Sequence, residues 1–158
     1  MSGDQTPLLF YNVGLSYLDA ADHLTTSLQG PPYRFRLPFD EPVRHLYAHA
    51  LEMFQKACLF EQGVSPQEMK TRFSHRLVEA WDAIDGGRFR ELRLDDESRA
   101  IAEWLDNFHP TKEYAYPYTG YKRELSLEQL RDGLSRFRIS RAVIHRLFSR
   151  SHQALEVR

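Results

Sequence analysis

The stretch EPVRHLYAHALEMFQKACLFEQG, residues Glu41 to Gly63, decides how the rest of the chain is read. Leu46, Tyr47, Ala50, Leu51, Met53, Phe54, Ala57, Cys58, Leu59 and Phe60 cover most of its circumference when it is wound as a helix. One narrow polar row interrupts them. His45, His49, Glu52 and Lys56 fall at offsets that keep them within roughly 60° of arc at 100° per residue. A helix that is apolar nearly all round is a buried one, so the spacing predicts a central helix wrapped by others.

Outward from it, the remaining segments read as helices with recognisable ends. Thr6-Pro7 offers a capping hydroxyl followed by proline at the first helical position. Phe10, Gly14, Tyr17, Ala21, Leu24 and Leu28 then recur at alternating spacings of four and three, widened by Val13 and Leu18. Gly30-Pro31-Pro32 stops that helix, and its polar face carries Asp19, Asp22 and His23. The connection YRFRLPFDEP is aromatic, basic and broken by proline, which predicts an ordered loop.

Past Gly63, Ser65-Pro66-Gln67-Glu68 has the form of a capping box. Phe73, Leu77, Ala80, Trp81 and Ile84 form the next stripe, with a restart near Ser74 as an alternative to one continuous helix. Asp85-Gly86-Gly87 closes it, and Arg88 to Asp95 reads as a crossing loop. A shorter helix from Asp96 to Phe108 points Ile101, Trp104, Leu105 and Phe108 inward. The segment TKEYAYPYTGYKREL, with Tyr114, Tyr116, Tyr118 and Tyr121, reads as a loop. Ser126-Leu127-Glu128-Gln129 is a second capping box, opening one long final helix to about Arg150. The expectation is an all-α, up-and-down bundle of about five helices in a single domain over residues 1–158.

Bulk properties exclude several function classes. With 27% charged residues and a net charge of −1, no overall charge argues for nucleic acid or an acidic membrane surface. The 42% hydrophobic and 13% aromatic content excludes bulk disorder. Cys58 is the single cysteine and falls among the apolar positions of the central helix, the pattern of a small hydrophobe in a reducing compartment. The first residues lack a basic-then-apolar leader, and no apolar run is long enough to span a bilayer. A cytoplasmic protein without membrane association is expected.

Three constellations bear on chemistry. His45, His49 and Glu52 have the spacing of helical metal ligands. A paired structural stripe is the stronger reading of the same residues, because Glu52 before Lys56 is the favourable i,i+4 ion-pair order. On the expected final helix, Leu127, Leu130, Leu134 and Phe137 face inward, and Arg138, Arg141 and His145 continue almost the same direction. An arginine to hold phosphate and a histidine to move a proton suit RNA cleavage, whereas a basic helix end favoured by the helix dipole needs neither. The tyrosine-rich loop suits base stacking between Lys112, Lys122 and Arg123, or simply caps the core.

With these residues in hand, the chain resembles the HEPN (higher eukaryotes and prokaryotes nucleotide-binding) superfamily, in its divergent branch. The resemblance rests on HALEMFQKACLFEQG, with Ala50, Glu52, Lys56, Ala57 and Gly63, and on SHRLVEAWDAI, with His75 and Leu77. Ala20-Ala21 and Leu24 in the opening helix, and YPYTGYK ahead of the closing one, are compatible with it. The similarity covers roughly Pro42 to Ile84.

It implies an all-α bundle, often dimeric, with a nucleotide or RNA as ligand. It also implies that active members cleave RNA without metal, through an arginine followed by four to six residues and a histidine. Arg72 and His75 are too close for that spacing. Arg138 with His145, and Arg146 with His152, meet it. The expectation is therefore a binding or accessory interaction module without catalysis or cofactor, most simply a homodimer, with or without a partner protein. Ligand contact is expected from His49, Glu52, Lys56, His75, Tyr118 and Tyr121. If RNA is cut, Arg138 and His145 are the expected catalytic pair. The rivals are a metal-independent ribonuclease of the toxin or defence type and a metal-binding helical bundle.

Overall fold

A computed structural model describes residues 6–28, 40–108 and 125–148. Over these residues the protein is an all-α bundle: α1 (Pro7–Leu28), α2 (Asp40–Glu61), α3 (Pro66–Thr71), α4 (Leu77–Asp82), α5 (Asp96–Phe108), α6 (Leu127–Leu134) and α7 (Arg141–Phe148). The expected helices are all present, and two of them are divided. The tyrosine-rich loop, most of the YRFRLPFDEP connection and His152 lie outside the described residues.

The central position of α2 is borne out. Val43, Tyr47, Ala50, Leu51, Phe54, Ala57, Cys58 and Leu59 are all buried. Fully burying each of the larger side chains contributes roughly 1.5–3 kcal/mol, so α2 is the main source of core area. Burial pushes the Cys58 thiol up, keeping it protonated and inert.

α1 lies antiparallel against it. The order of the contacts requires this: Phe10 with Phe60, Tyr11 with Phe54, Tyr17 with His49 and Thr25 with Tyr47. The buried row of α1 is Tyr11, Gly14, Leu18, Ala21 and Thr25, rotated from the expected stripe so that Leu24 is left exposed. Gly14 sets the helix separation. A Cβ there would lie 2.8 Å from the Phe54 ring and 3.2 Å from the Ala50 carbonyl oxygen, and the Phe54 ring cannot yield because it is stacked on Phe137 at 4.4 Å.

The restart near Ser74 is what the chain adopts. Ser65 Oγ accepts the Glu68 amide at the start of α3, the hydroxyl half of the expected box. The chain then turns through His75 in a left-handed conformation (φ 58°) before α4. No side chain of its own caps α4. Asp106 of α5 does so from outside, accepting the Leu77 amide at 2.7 Å. Burial raises the Asp106 carboxyl even though that bond lowers it. The crossing segment tightens into a 3-10 turn, Arg90–Leu92, that plugs Phe89 and Leu92 into the core.

The single long final helix is corrected. α6 begins with the full reciprocal box of Ser126 and Gln129, but after Leu134 the chain passes into a 3-10 turn, Ser135–Phe137, and leaves helical geometry at Arg138 (φ −84°, ψ 69°). The cause is tertiary. Phe137 is drawn onto the Phe54 ring, its carbonyl accepts the Tyr11 hydroxyl, and the Arg138 side chain is drawn to α1. The chain restarts at α7, where Ser140 Oγ accepts the Val143 amide.

Candidate functional site

Helical periodicity brings the polar row of α2 together as expected, and the turn before α4 adds a residue from outside it. Glu52 is the hub. Its side chain is only 3% exposed, yet it ends among basic groups. Lys56 Nζ donates to Oε1 at 2.6 Å, and His75 Nδ1 donates to Oε2 at 3.2 Å. His49 presents its Nδ1 to the same Oε2 at 3.7 Å. A carboxylate this buried requires such partners, since an uncompensated charge out of water is costly.

The row continues as a chain of imidazoles. His49 Nε2 lies 2.8 Å from His45 Nε2. A proton on His49 Nδ1 suits the carboxylate it faces, which leaves its Nε2 to accept the His45 N–H. Tyr17 of α1 stacks on the His49 ring at 5.3 Å. Burial, with His45 second, pushes the His49 imidazole below its ordinary value against the pull of Glu52, so it is neutral near pH 7.

The exposure gradient runs outward from the hub. Lys56 is 20% exposed, His49 24% and His75 47%. His75 reaches Glu52 only because its backbone is left-handed, a conformation that favours glycine and is costly for other residues. This edge thus joins a left-handed turn to a buried carboxylate. It offers an ammonium, imidazole N–H donors and a carboxylate within one surface. A separate cleft of about 460 Å³ is lined by Arg72, Arg76, Glu79, Asp82 and Asp106. Its charges largely answer one another, as Arg72 and Arg76 both pair with Glu79.

His45, His49 and Glu52 do not converge on one point: His45 meets the Nε2 side of His49, and Glu52 faces its Nδ1 side. Among the described residues, no group of three or more His, Cys, Asp or Glu side chains is disposed to hold a metal ion.

Arg138 and His145 do not share a helix. Arg138, in the break after α6, donates to Asp19 at 2.6 Å and to Asp22 at 2.7 Å. Burial lowers the Arg138 pKa, but its bonds to Asp22 and Asp19 outweigh this and raise it. His145 lies on α7, where Arg141 Nε donates to its Nε2 at 3.5 Å. The helical face expected to run from Arg138 to His145 is thus not formed. Tyr118 and Tyr121 fall outside the described residues.

Three contributors were not singled out from the sequence. Tyr17 was assigned to the core stripe, Asp22 was counted as polar surface, and Tyr47 as plain core. Tyr47 donates its hydroxyl to Asp22 at 2.9 Å, linking α2 to the Arg138 clamp. The i,i+3 spacing of Asp19 and Asp22 was the available signal. Compared with protein-family models, with curated proteins and with solved structures, the chain gives no match. Among the described residues no helix is long and apolar enough to cross a membrane.

Proposed function

We propose that this chain is a HEPN-like helical domain that binds a nucleotide or RNA at the α2 edge, without catalysis, as a homodimer or beside a partner protein. The observation that carries the reading is the contact between His75 and Glu52 at 3.2 Å. It joins the two segments on which the resemblance rests, and it does so through a strained backbone rather than a relaxed one. Lys56 is the charge able to swing outward to a phosphate, because its stem is held by α2 while its head is partly wet. His49 and His75 supply imidazole donors, and Glu52 fixes their orientation.

Equilibrium titration of the full chain with ATP and with a short single-stranded RNA tests this. Saturable binding is expected for at least one of them, weakened about tenfold in Lys56→Ala and in His75→Ala. Affinity unchanged in both variants, or no binding of either ligand, overturns the reading. RNA incubated without divalent metal is expected to stay intact. Cleavage that is lost in His145→Ala would put the ribonuclease in its place. A light-scattering mass of twice the chain is the expected result for the dimer.

A further inference from the structure

The polar row of α2 holds a second arrangement, at the end away from Lys56. His45 and His49 meet Nε2 to Nε2 at 2.8 Å, with their rings crossed at 85°. The other nitrogen of each ring looks inward: His45 Nδ1 is buried, and His49 Nδ1 faces the buried Glu52 Oε2 at 3.7 Å. Both rings are partly exposed, His49 by 24%. Because their inner edges carry Nδ1, the two Nε2 atoms lie toward the solvent side. Tyr17 stacks on the His49 ring and fixes its plane.

Two histidines one helical turn apart are a spacing that metal sites use. A ligating imidazole binds through one unprotonated nitrogen while a carboxylate or carbonyl holds its other N–H. His49 has that arrangement, with Glu52 behind Nδ1 and Nε2 left to accept. The separation of the two Nε2 atoms adds a second signal. Metal–nitrogen bonds of about 2.0–2.1 Å place two ligands about 2.9 Å apart at a right angle, and about 3.3 Å apart at the tetrahedral angle. The observed 2.8 Å fits the right angle, which copper(II) and nickel(II) favour and zinc does not.

We propose that His45 and His49 grip a copper(II) or nickel(II) ion through their Nε2 atoms, side by side, with water in the remaining positions. The proton that His45 shares with His49 shifts to His45 Nδ1, so both rings stay neutral and the ion takes its place between them. Glu52 is not a ligand here; it orients His49 from behind. Along α2, Glu41 and Glu52 balance Arg44 and Lys56 in charge, so the helix sets no net positive charge from these four against a dication. The grip does not depend on whether the α2 edge binds a nucleotide.

Calorimetric titration of the full chain with copper(II) chloride and with zinc chloride, near neutral pH and without nucleotide, decides it. Expected is saturable binding of one equivalent of copper, with zinc at least about tenfold weaker. Electron paramagnetic resonance of the copper-loaded chain should show two nitrogen ligands, a reading that needs no variant. His45→Gln and His49→Gln, checked for folding by their melting without metal, should each weaken copper at least about tenfold. His23→Ala, at an exposed histidine of α1, should leave it unchanged. No saturable copper binding overturns the proposal. So does a spectrum with fewer than two nitrogens, zinc binding as tightly as copper, affinity held in either glutamine variant, or an equal loss in His23→Ala.

Discussion

Two clusters in this bundle carry opposite charge at their centres. At the α2 edge one buried carboxylate, Glu52, gathers Lys56, His75 and His49. Between α1 and the break after α6 one guanidinium, Arg138, gathers Asp19 and Asp22. The second cluster is built on a guanidinium whose pKa stays raised, against the lowering effect of burial, by its bonds to Asp22 and Asp19, and it clamps the break after α6 to α1. The first contains the His49 imidazole, whose pKa burial pushes below its ordinary value, so its donor pattern can respond to pH. Charge pairing thus fastens the chain at Arg138, whereas at Glu52 it leaves the edge on which binding is proposed, and the difference lies in the imidazoles.

The largest effect expected is at the hub. Glu52→Ala removes the carboxylate that Lys56, His75 and His49 all face from a buried position and should cost roughly 2–4 kcal/mol, read as a drop in urea midpoint. A loss below about 0.5 kcal/mol would make the two clusters equivalent surface features. Next, Gly14→Ala should cost about 1–3 kcal/mol, because the new methyl meets a Phe54 ring pinned by Phe137. It tests whether the close α1–α2 approach holds both clusters in register.

Arg138→Ala follows, at roughly 1 kcal/mol. The guanidinium is partly exposed and Asp19 largely so, and solvent screening discounts the pair. That loss should be nearly flat from pH 8 to 5.5.

The hub should behave differently. His49 has a folded pKa below its unfolded value of 6.5, so the unfolded chain binds the proton more tightly. The stability this residue contributes is present above about pH 6.5 and is lost as pH falls through the folded pKa. A melting temperature that declines from pH 7 toward 5.5, and declines less in His49→Phe, is the expected signature. An equal decline in both proteins removes the titrating role.

The smallest stability effect should come from His75→Gly. Relief of a left-handed backbone offsets the lost bond to Glu52, leaving stability within about 0.5 kcal/mol of the parent. Ligand affinity at the α2 edge should nevertheless fall. Affinity that holds while stability drops would make His75 a structural fastener, like Arg138.

Much of the architecture was written in local patterns. Helix starts at Thr6-Pro7, Ser65 and Ser126, the α2 apolar girdle, and the Glu52–Lys56 order all follow from spacing and capping chemistry, which act within a few residues. The sequence by itself determined an all-α bundle built on α2 and placed His49, Glu52 and Lys56 on one line. Only the tertiary structure decided that His75 turns back onto Glu52, that Asp106 caps α4, and that the final helix breaks at Arg138. Those outcomes are set by partners between 23 and 119 residues away in the chain. The apolar period of residues 127–148 is compatible with one helix or two, and what selects two is the stacking of Phe137 on Phe54 together with the hold of Asp19 and Asp22 on Arg138.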